Sequence, residues 1–383
     1  MPSEKTRTSS INRAEKADPI RVLQVFASLD RGGAETMVMN LYRAIARTKV
    51  QFDFVVNSSD SDYDYEKEIR ALGGRTFRIP RFRGVNFFAY RRAWKNLLEA
   101  HPECSLVHGH HTVPASVYIP IAKKLGQATI AHSHTSYVRE NRVKSFIRKA
   151  ALFPVRYMAD YLFACSKLAG EWMFGPSSSF RIINNAIKTS DFIYDQRLRE
   201  EKRAEFNIGN SFLIGHVGRF AQPKNHAFLI EIFRHIYRNN SNAKLLLVGD
   251  GPLRLGVERL AGKYGIDDRV IFAGVRSDIP ELLSAMDLFV FPSLYEGLPV
   301  TLIEAQANGL SIIASDSISD EVKITDLIEF ISLDNGPRYW AERVLKCEQK
   351  RETGNFSAKI KSAGYDIELN AALIEKLYLN AVN

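Results

Sequence analysis

The sequence predicts an α/β protein built from two Rossmann-like, doubly wound domains that face a cleft. Three observations predict it. Short β-rich runs alternate with helical stretches along almost the whole chain, which is the pattern of parallel strands joined by crossover helices. A chain of 383 residues exceeds one comfortable core and suits two domains of ordinary size. Glycine-bearing turns follow strands in both halves, and open α/β sheets bind ligands beyond the carboxyl ends of their strands.

In chain order, strands are expected at residues 21–26, 52–57, 76–79, 106–108, 129–132, 161–164 and 181–183 of the first half. The second half repeats the pattern at 212–217, 244–248, 270–272, 288–291, 311–314 and 329–331. Residues 1–19 lack an apolar run and read as a disordered leader, not a secretory signal. One Rossmann-like domain is expected over 20–190 and a second over 211–365. The charge-dense segment 191–210 reads as the linker, and 366–383 as a C-terminal helix able to cross back to the first domain.

Composition narrows the class. No apolar run reaches the roughly 18 to 20 residues a membrane-spanning helix needs. Cys104, Cys165 and Cys347 form neither a metal spacing nor a disulfide framework, which points to a reducing cytoplasm. Residues 1–190 hold 29 Lys and Arg against 16 Asp and Glu, whereas the remainder is slightly acidic. That asymmetry gives the front half a preference for anionic surfaces or substrates. Within it, residues 138–158 set Val143, Phe146, Ile147 and Ala150 on one helical face among Arg139, Arg142, Lys144, Arg148 and Lys149. Such a helix can lie on anionic lipid, although a charged face on an ordinary surface helix is commoner.

The densest motif is EGLPVTLIE, with Glu296 before a Gly-Leu-Pro corner and Glu304 inside the helix that follows. A helix start carries unpaired N–H groups and partial positive charge, here near Val300 and Thr301, and favours a phosphate. Glu304 lies about 7 Å further along the axis. One carboxylate thus stands on each side of a phosphate-sized hole, and a carboxylate accepts two hydrogen bonds from a vicinal diol. A second motif, HVGRFAQPKNH, follows a strand with Gly218 for close backbone approach and Arg219 and Lys224 as cations. Gly32 and Gly33 open a third turn before a helix. Histidines cluster as His108, His110 and His111 and as His132 and His134. Neither cluster has a carboxylate at ligand spacing, so strand-end packing is the commoner reading, with one imidazole lining the cleft.

These residues together resemble the retaining nucleotide-sugar glycosyltransferases of family 4, with GT-B architecture, and within them the bacterial exopolysaccharide and capsule transferases. The resemblance runs through IRVLQVFASLDRGGAETMVMNLYRAI, GHVGRFAQPKNH, LLLVGDGPLR and VIFAGVRSDIPELLSAMDLFVFPSLYEGLPVTLIEAQANG. It implies that Glu296 binds hydroxyls of the donor sugar and Glu304 the ribose diol. By the same resemblance Arg219 and Lys224 hold the diphosphate, with Gly33, Gly218, Gly297, Leu298 and Val300 closing around it. Gly274, Val275 and Arg276 match the stretch whose backbone meets the nucleobase. His134, with His132 as second choice, matches the histidine beside the transferred sugar. Two departures stand out: Pro299 occupies a position where many members have glycine, and Asn185-Ala186-Ile187-Lys188 replaces the common Asn-Gly-Val-Asp.

The expected activity is transfer of a hexosyl or N-acetylhexosaminyl group from a UDP-sugar, with retention, to a saccharide or lipid-linked saccharide. No cofactor and no metal are expected. Cytoplasmic location with peripheral contact at an anionic membrane follows, and no nucleic-acid partner. A nucleotide-sugar epimerase of the same architecture is the competing enzyme reading. A basic nucleic-acid-binding protein is the non-enzymatic one, and it lacks interleaved aromatics and any recognition motif.

Overall fold

A computed structural model describes residues 18–30, 32–57, 63–110, 114–134, 152–347 and 354–382. The first sheet comprises β1 (Ile20–Phe26), β2 (Val50–Val56), β3 (Thr76–Arg78), β4 (Cys104–Gly109), β5 (Ala128–Ser133), β6 (Tyr161–Ala164) and β7 (Arg181–Ile182). The second comprises β8 (Phe212–Val217), β9 (Ala243–Val248), β10 (Val270–Gly274), β11 (Leu288–Phe291), β12 (Ile312–Ser315) and β13 (Ile328–Ile331). Every strand expected from the β-rich runs is present, with ends shifted by at most two residues.

All pairings are parallel, in the orders β3-β2-β1-β4-β5-β6-β7 and β10-β9-β8-β11-β12-β13. Helices on both faces explain why the strands are near-continuous apolar runs: β2, VQFDFVV, is buried at every position. Its one charge, Asp53, is held by Arg21 and Arg75, each at 2.6 Å. Burial works to raise the Asp53 carboxyl, but the two guanidinium hydrogen bonds win and hold it below its ordinary value. The strand order reverses between β1 and β4 and again between β8 and β11. Those two switch points are where such sheets open a ligand crevice.

Core membership places the domain boundary sharply. Ile183 and Ala186 pack into the first domain's core, whereas Ile187 and Phe192 pack into the second's. The return crossing lies between Tyr365, in the second core, and Ile367, in the first. The two crossings run side by side: Ile187 N–H donates to Tyr365 O at 3.0 Å and Ile367 N–H to Ile187 O at 2.8 Å. Beyond them the helix Ile367–Val382 buries Ile367, Ala371, Ile374 and Tyr378 against the first domain.

The expected linker 191–210 requires correction. Gln196–Glu205 is a helix, capped by Asp195, and it belongs to the second domain. Arg199 donates to the carbonyls of Ser284, Ala285 and Met286 and so caps the helix Ile279–Ala285. Arg203 donates to Gly209 O, Ala285 O and Ser211 O, and both arginines pair with Asp287. Charge density resembled a solvated linker because its charges are those of a docked helix. The chain changes domain before this segment, at Ala186 and Ile187. Replacing Arg203 by alanine removes the donor to Gly209 O and Ser211 O and one of the two donors to Ala285 O, and should destabilise the protein by about 2 to 4 kcal/mol in urea unfolding. A midpoint equal to wild type would show that the helix is not held this way.

Candidate functional site

Because β8 and β11 are neighbours in the second sheet, the loops that leave their carboxyl ends lie side by side. Asn225, with φ of +54°, turns the first loop into the helix His226–Asn239. Its amide donates to Pro292 O at 3.2 Å, and Leu294 N–H donates to Pro223 O at 2.8 Å. A third tie joins side chains: Lys224 Nζ sits 2.8 Å from Glu296 Oε1 and 4.5 Å from the centroid of the Phe291 ring. The structure thus brings Gly218, Lys224 and Glu296 together. In place of a glutamate apart from the cations, Glu296 is ion-paired with one of them. Arg219 is exposed and has no ion-pair partner among the described residues.

The Gly218 turn is braced from behind by a loop whose role the sequence reading did not identify. A side chain at Gly249 would come within 2.2 Å of Gly218 O, and one at Gly251 within 2.6 Å of Phe220 O. Gly218 N–H donates to Val248 O and Phe220 N–H to Asp250 O. The signal was available in Gly-Asp-Gly after the apolar run LLLV. Gly249 N–H also donates to Gly274 O at 2.8 Å, which connects this brace to the third loop of the same edge. There Val275 is exposed, while Arg276 is committed to Asp278 and Glu205. Its hydrogen bond holds the Asp278 carboxyl far below the usual range.

The helix Val300–Ala307 begins at Pro299, whose carbonyl accepts from Leu302 N–H. Among the described residues, the amides of Val300 and Thr301 donate to nothing, and Thr301 Oγ1 is buried without a partner. A side chain at Gly297 would meet nothing within 4 Å, so the corner borders open space. Glu304 stands one turn inside the helix, half-buried, and burial pushes its carboxyl up to about 7. The arrangement offers two cations, free amides at a helix start and a carboxylate that titrates near neutrality. It suits an anion flanked by hydroxyls.

In the first domain, Gly33 opens the helix Gly33–Ala44, and a side chain there would again meet nothing within 4 Å among the described residues. No hydrogen bond or ion pair joins Gly33 or His134 to Arg219, Lys224, Glu296 or Glu304 among the described residues. His108, His110, His132 and His134 come together at the carboxyl ends of β4 and β5, with Gln24 of β1 and Tyr378 of the last helix. Gln24 and Tyr378 carried no local sequence signal. Burial drives all four imidazoles down, His134 to about 3, so they are neutral. Nitrogens of His108, His110 and His132 lie within 4.8 Å of one another, a donor set that could suit a transition metal. The nitrogens facing one another already share hydrogen bonds, His108 Nε2 with His132 Nδ1 and His110 Nδ1 with His134 Nε2. His111, and the basic stretch 138–158 up to residue 151, lie outside the described residues.

Residues 31–191 match the family described as Glycosyltransferase Family 4, and residues 198–364 that described as Glycosyl transferases group 1. EpsF of Bacillus subtilis, which bears the glycosyltransferase name, is 36% identical over 94% of this chain and 96% of its own length. The capsular polysaccharide biosynthesis glycosyltransferase CapH of Staphylococcus aureus is 22% identical over 94% of the chain and 99% of its own length. Among solved structures, Anabaena HepE in complex with UDP and glucose superposes with a TM-score of 0.75 at 15% identity, covering 94% of this chain and 99% of HepE. WaaG, a glycosyltransferase of lipopolysaccharide biosynthesis, gives 0.68 at 17% identity over 94% and 99% of the two chains. The chain belongs to the family 4 glycosyltransferases and has their two-domain GT-B fold.

Proposed function

We propose that this glycosyltransferase moves a hexosyl or N-acetylhexosaminyl group from a UDP-sugar, with retention, to a saccharide or lipid-linked saccharide during exopolysaccharide or capsule synthesis. The observation that carries it is the second switch point, where Lys224, Glu296, the free amides of Val300 and Thr301 and the Glu304 carboxylate share one edge. In this reading the diphosphate rests on the helix start between Arg219 and Lys224, Glu304 takes the ribose diol, and Glu296 meets the donor sugar. The anomeric carbon loses its bond to phosphate and gains one to the acceptor oxygen on the same face, and the departing phosphate takes the acceptor proton. Cations and amides that stabilise that phosphate supply the electrostatic part of the catalysis. No carboxylate pair at glycosidase spacing is called for, and no metal or cofactor is required.

Names of relatives support the substrate class. CapH is named for capsular polysaccharide, HepE was solved with UDP and glucose, and an Escherichia coli relative, 32% identical over 45% of this chain and 46% of its own length, is named as transferring from UDP-Gal to a diphosphoundecaprenol-linked sugar. We place the enzyme in the cytoplasm at an anionic membrane face, next to such an acceptor. No described helix is long and apolar enough to cross a membrane.

A thermal-shift panel of UDP, GDP, ADP and their sugars tests the donor. Stabilisation confined to the uridine series, unchanged in excess chelator, is the expected result, and silence across the panel would sink the reading. Alanine at Lys224 or Arg219 should lower turnover about 10²-fold or more, and near-wild-type transfer by both variants would remove the diphosphate assignment. Glu304 gives a pH dependence. Its free carboxyl is protonated below about 7, and a diol donating two hydrogen bonds stabilises the ionised form, so binding expels a proton below that pH. Donor affinity should rise from pH 6 to 8, and Glu304→Gln should flatten the profile; an identical slope in the variant would exclude Glu304.

A further inference from the structure

Three buried histidines and the half-buried His134 form two hydrogen-bonded rails that both start at one side chain, Gln24. On the first rail Gln24 Oε1 accepts from His110 Nε2–H at 2.8 Å, and His110 Nδ1 accepts from His134 Nε2–H at 2.8 Å. On the second Gln24 Nε2 donates to the Tyr378 hydroxyl at 3.3 Å. That hydroxyl donates to His108 Nδ1 at 2.6 Å, and His108 Nε2–H donates to His132 Nδ1 at 3.2 Å. The rails lie against each other with tilted rings: His108 and His110 have centroids 4.2 Å apart at 31°, and His132 and His134 4.0 Å apart at 32°. Each rail ends in a buried nitrogen with no hydrogen-bond partner among the described residues, His134 Nδ1 and His132 Nε2.

A neutral imidazole has one donor and one acceptor, so each hydrogen bond fixes the character of the opposite nitrogen. An amide likewise has one donor end and one acceptor end, and it sends opposite polarities down the two rails. With Gln24 as oriented, all four rings carry the proton on Nε2. The first rail then ends in a bare acceptor, His134 Nδ1, and the second in a donor, His132 Nε2–H. Turning the amide over reverses both rails and still leaves one donor beside one acceptor. A group that donates and accepts at once, a hydroxyl, completes such a pair; a carboxylate, which only accepts, does not.

We propose that Gln24 acts through His108, His110 and Tyr378 as a positioning residue that makes His132 and His134 a hydroxyl-recognition site, selecting a neutral sugar over a uronate. The placement fits, since β1, β4 and β5 meet at the first sheet's switch point, where the order reverses. The orphan nitrogens fit as well, because an unpaired buried polar atom is costly unless a guest or a water satisfies it. Naming a sugar as the guest rests on the proposed function; the polarity of the rails does not.

The test uses the full-length protein with ¹⁵N-labelled histidine, whose ring nitrogens report the tautomer by NMR. In the wild type His108, His110, His132 and His134 should all be Nε2–H. Gln24→Glu replaces the amide by an acceptor at both ends. It should switch His108 and His132 to Nδ1–H while His110 and His134 stay as they were, leaving two acceptors and no donor. Tyr378→Phe cuts only the second rail and should release His108 and His132 alone. Mixed tautomers in the wild type, or no switch in either variant, would overturn the rails. For the guest, the wild type should hold UDP-glucose about tenfold or more above UDP-glucuronate, and Gln24→Glu, which removes the donor that a hydroxyl accepts from, should weaken UDP-glucose binding about tenfold with UDP affinity unchanged; an unchanged UDP-glucose affinity in the variant would overturn the role of Gln24. Equal binding of the two sugars by the wild type would mean that the site holds a water only and would overturn the selectivity. Failure to bind UDP at all would remove the proposed function while the tautomer result still stood.

Discussion

The parallel pairing of β8 with β11 is the constraint on which the second domain's site depends. Residues 214 and 215 pair with 288 and 289, so two strands distant in sequence end at the same level of the sheet. In a parallel sheet each crossover returns the chain to the same edge, and every carboxyl end therefore points one way. The Gly218 turn and the Gly297 corner cannot avoid each other. Asn225–Pro292 and Leu294–Pro223 then convert adjacency into fixed registration, which is why the left-handed conformation of Asn225 persists in a non-glycine residue.

Registration changes what the two cations are. Lys224 is a half-buried ammonium already facing a carboxylate, and an ammonium has three donors, so it can keep Glu296 and still reach a phosphate. Its position is set before any anion arrives, and preorganised charge is the kind that contributes most to catalysis. Arg219 is the opposite case, exposed and unpaired among the described residues, and any anion it met would have to order it. Two residues with the same sign at the same turn thus differ in how much of their interaction energy survives the entropy of ordering.

Much of this was legible in the sequence because the fold is written in short-range patterns. Apolar runs such as VQFDFVV and LFVF located the strands, and glycine-bearing turns located the loops at their ends. The Lys224–Glu296 pair was not legible, because it depends on β8 and β11 being neighbours across more than seventy residues. The histidines were visible as two clusters and not as one network, since only the β4–β5 pairing brings them together. Gln24 and Tyr378 were silent: one is a polar residue in an apolar strand, the other one aromatic among many. The segment 191–210 misled for a physical reason, because a helix that docks through arginine to backbone carbonyls has the composition of a linker.

The two domain crossings tie these separate constructions together. Ile187 exchanges hydrogen bonds with Tyr365 and Ile367, and Thr189 donates to Asp366, so the chain leaves and re-enters the first domain along one short parallel bridge. Two covalent crossings stitched side by side resist separation and twist far more than a single strand would, and any relative movement of the domains must pivot on them. The helix beyond the second crossing carries Tyr378 into the first domain, where its hydroxyl meets His108 and Gln24. The polarity of the histidine rails therefore depends on a residue that reaches them only after the chain has built the whole second domain. A first domain ending at Ala186 would lack the core residues of that helix and the hydroxyl between Gln24 and His108. For this reason the first domain's histidine crevice is a property of the complete two-domain chain.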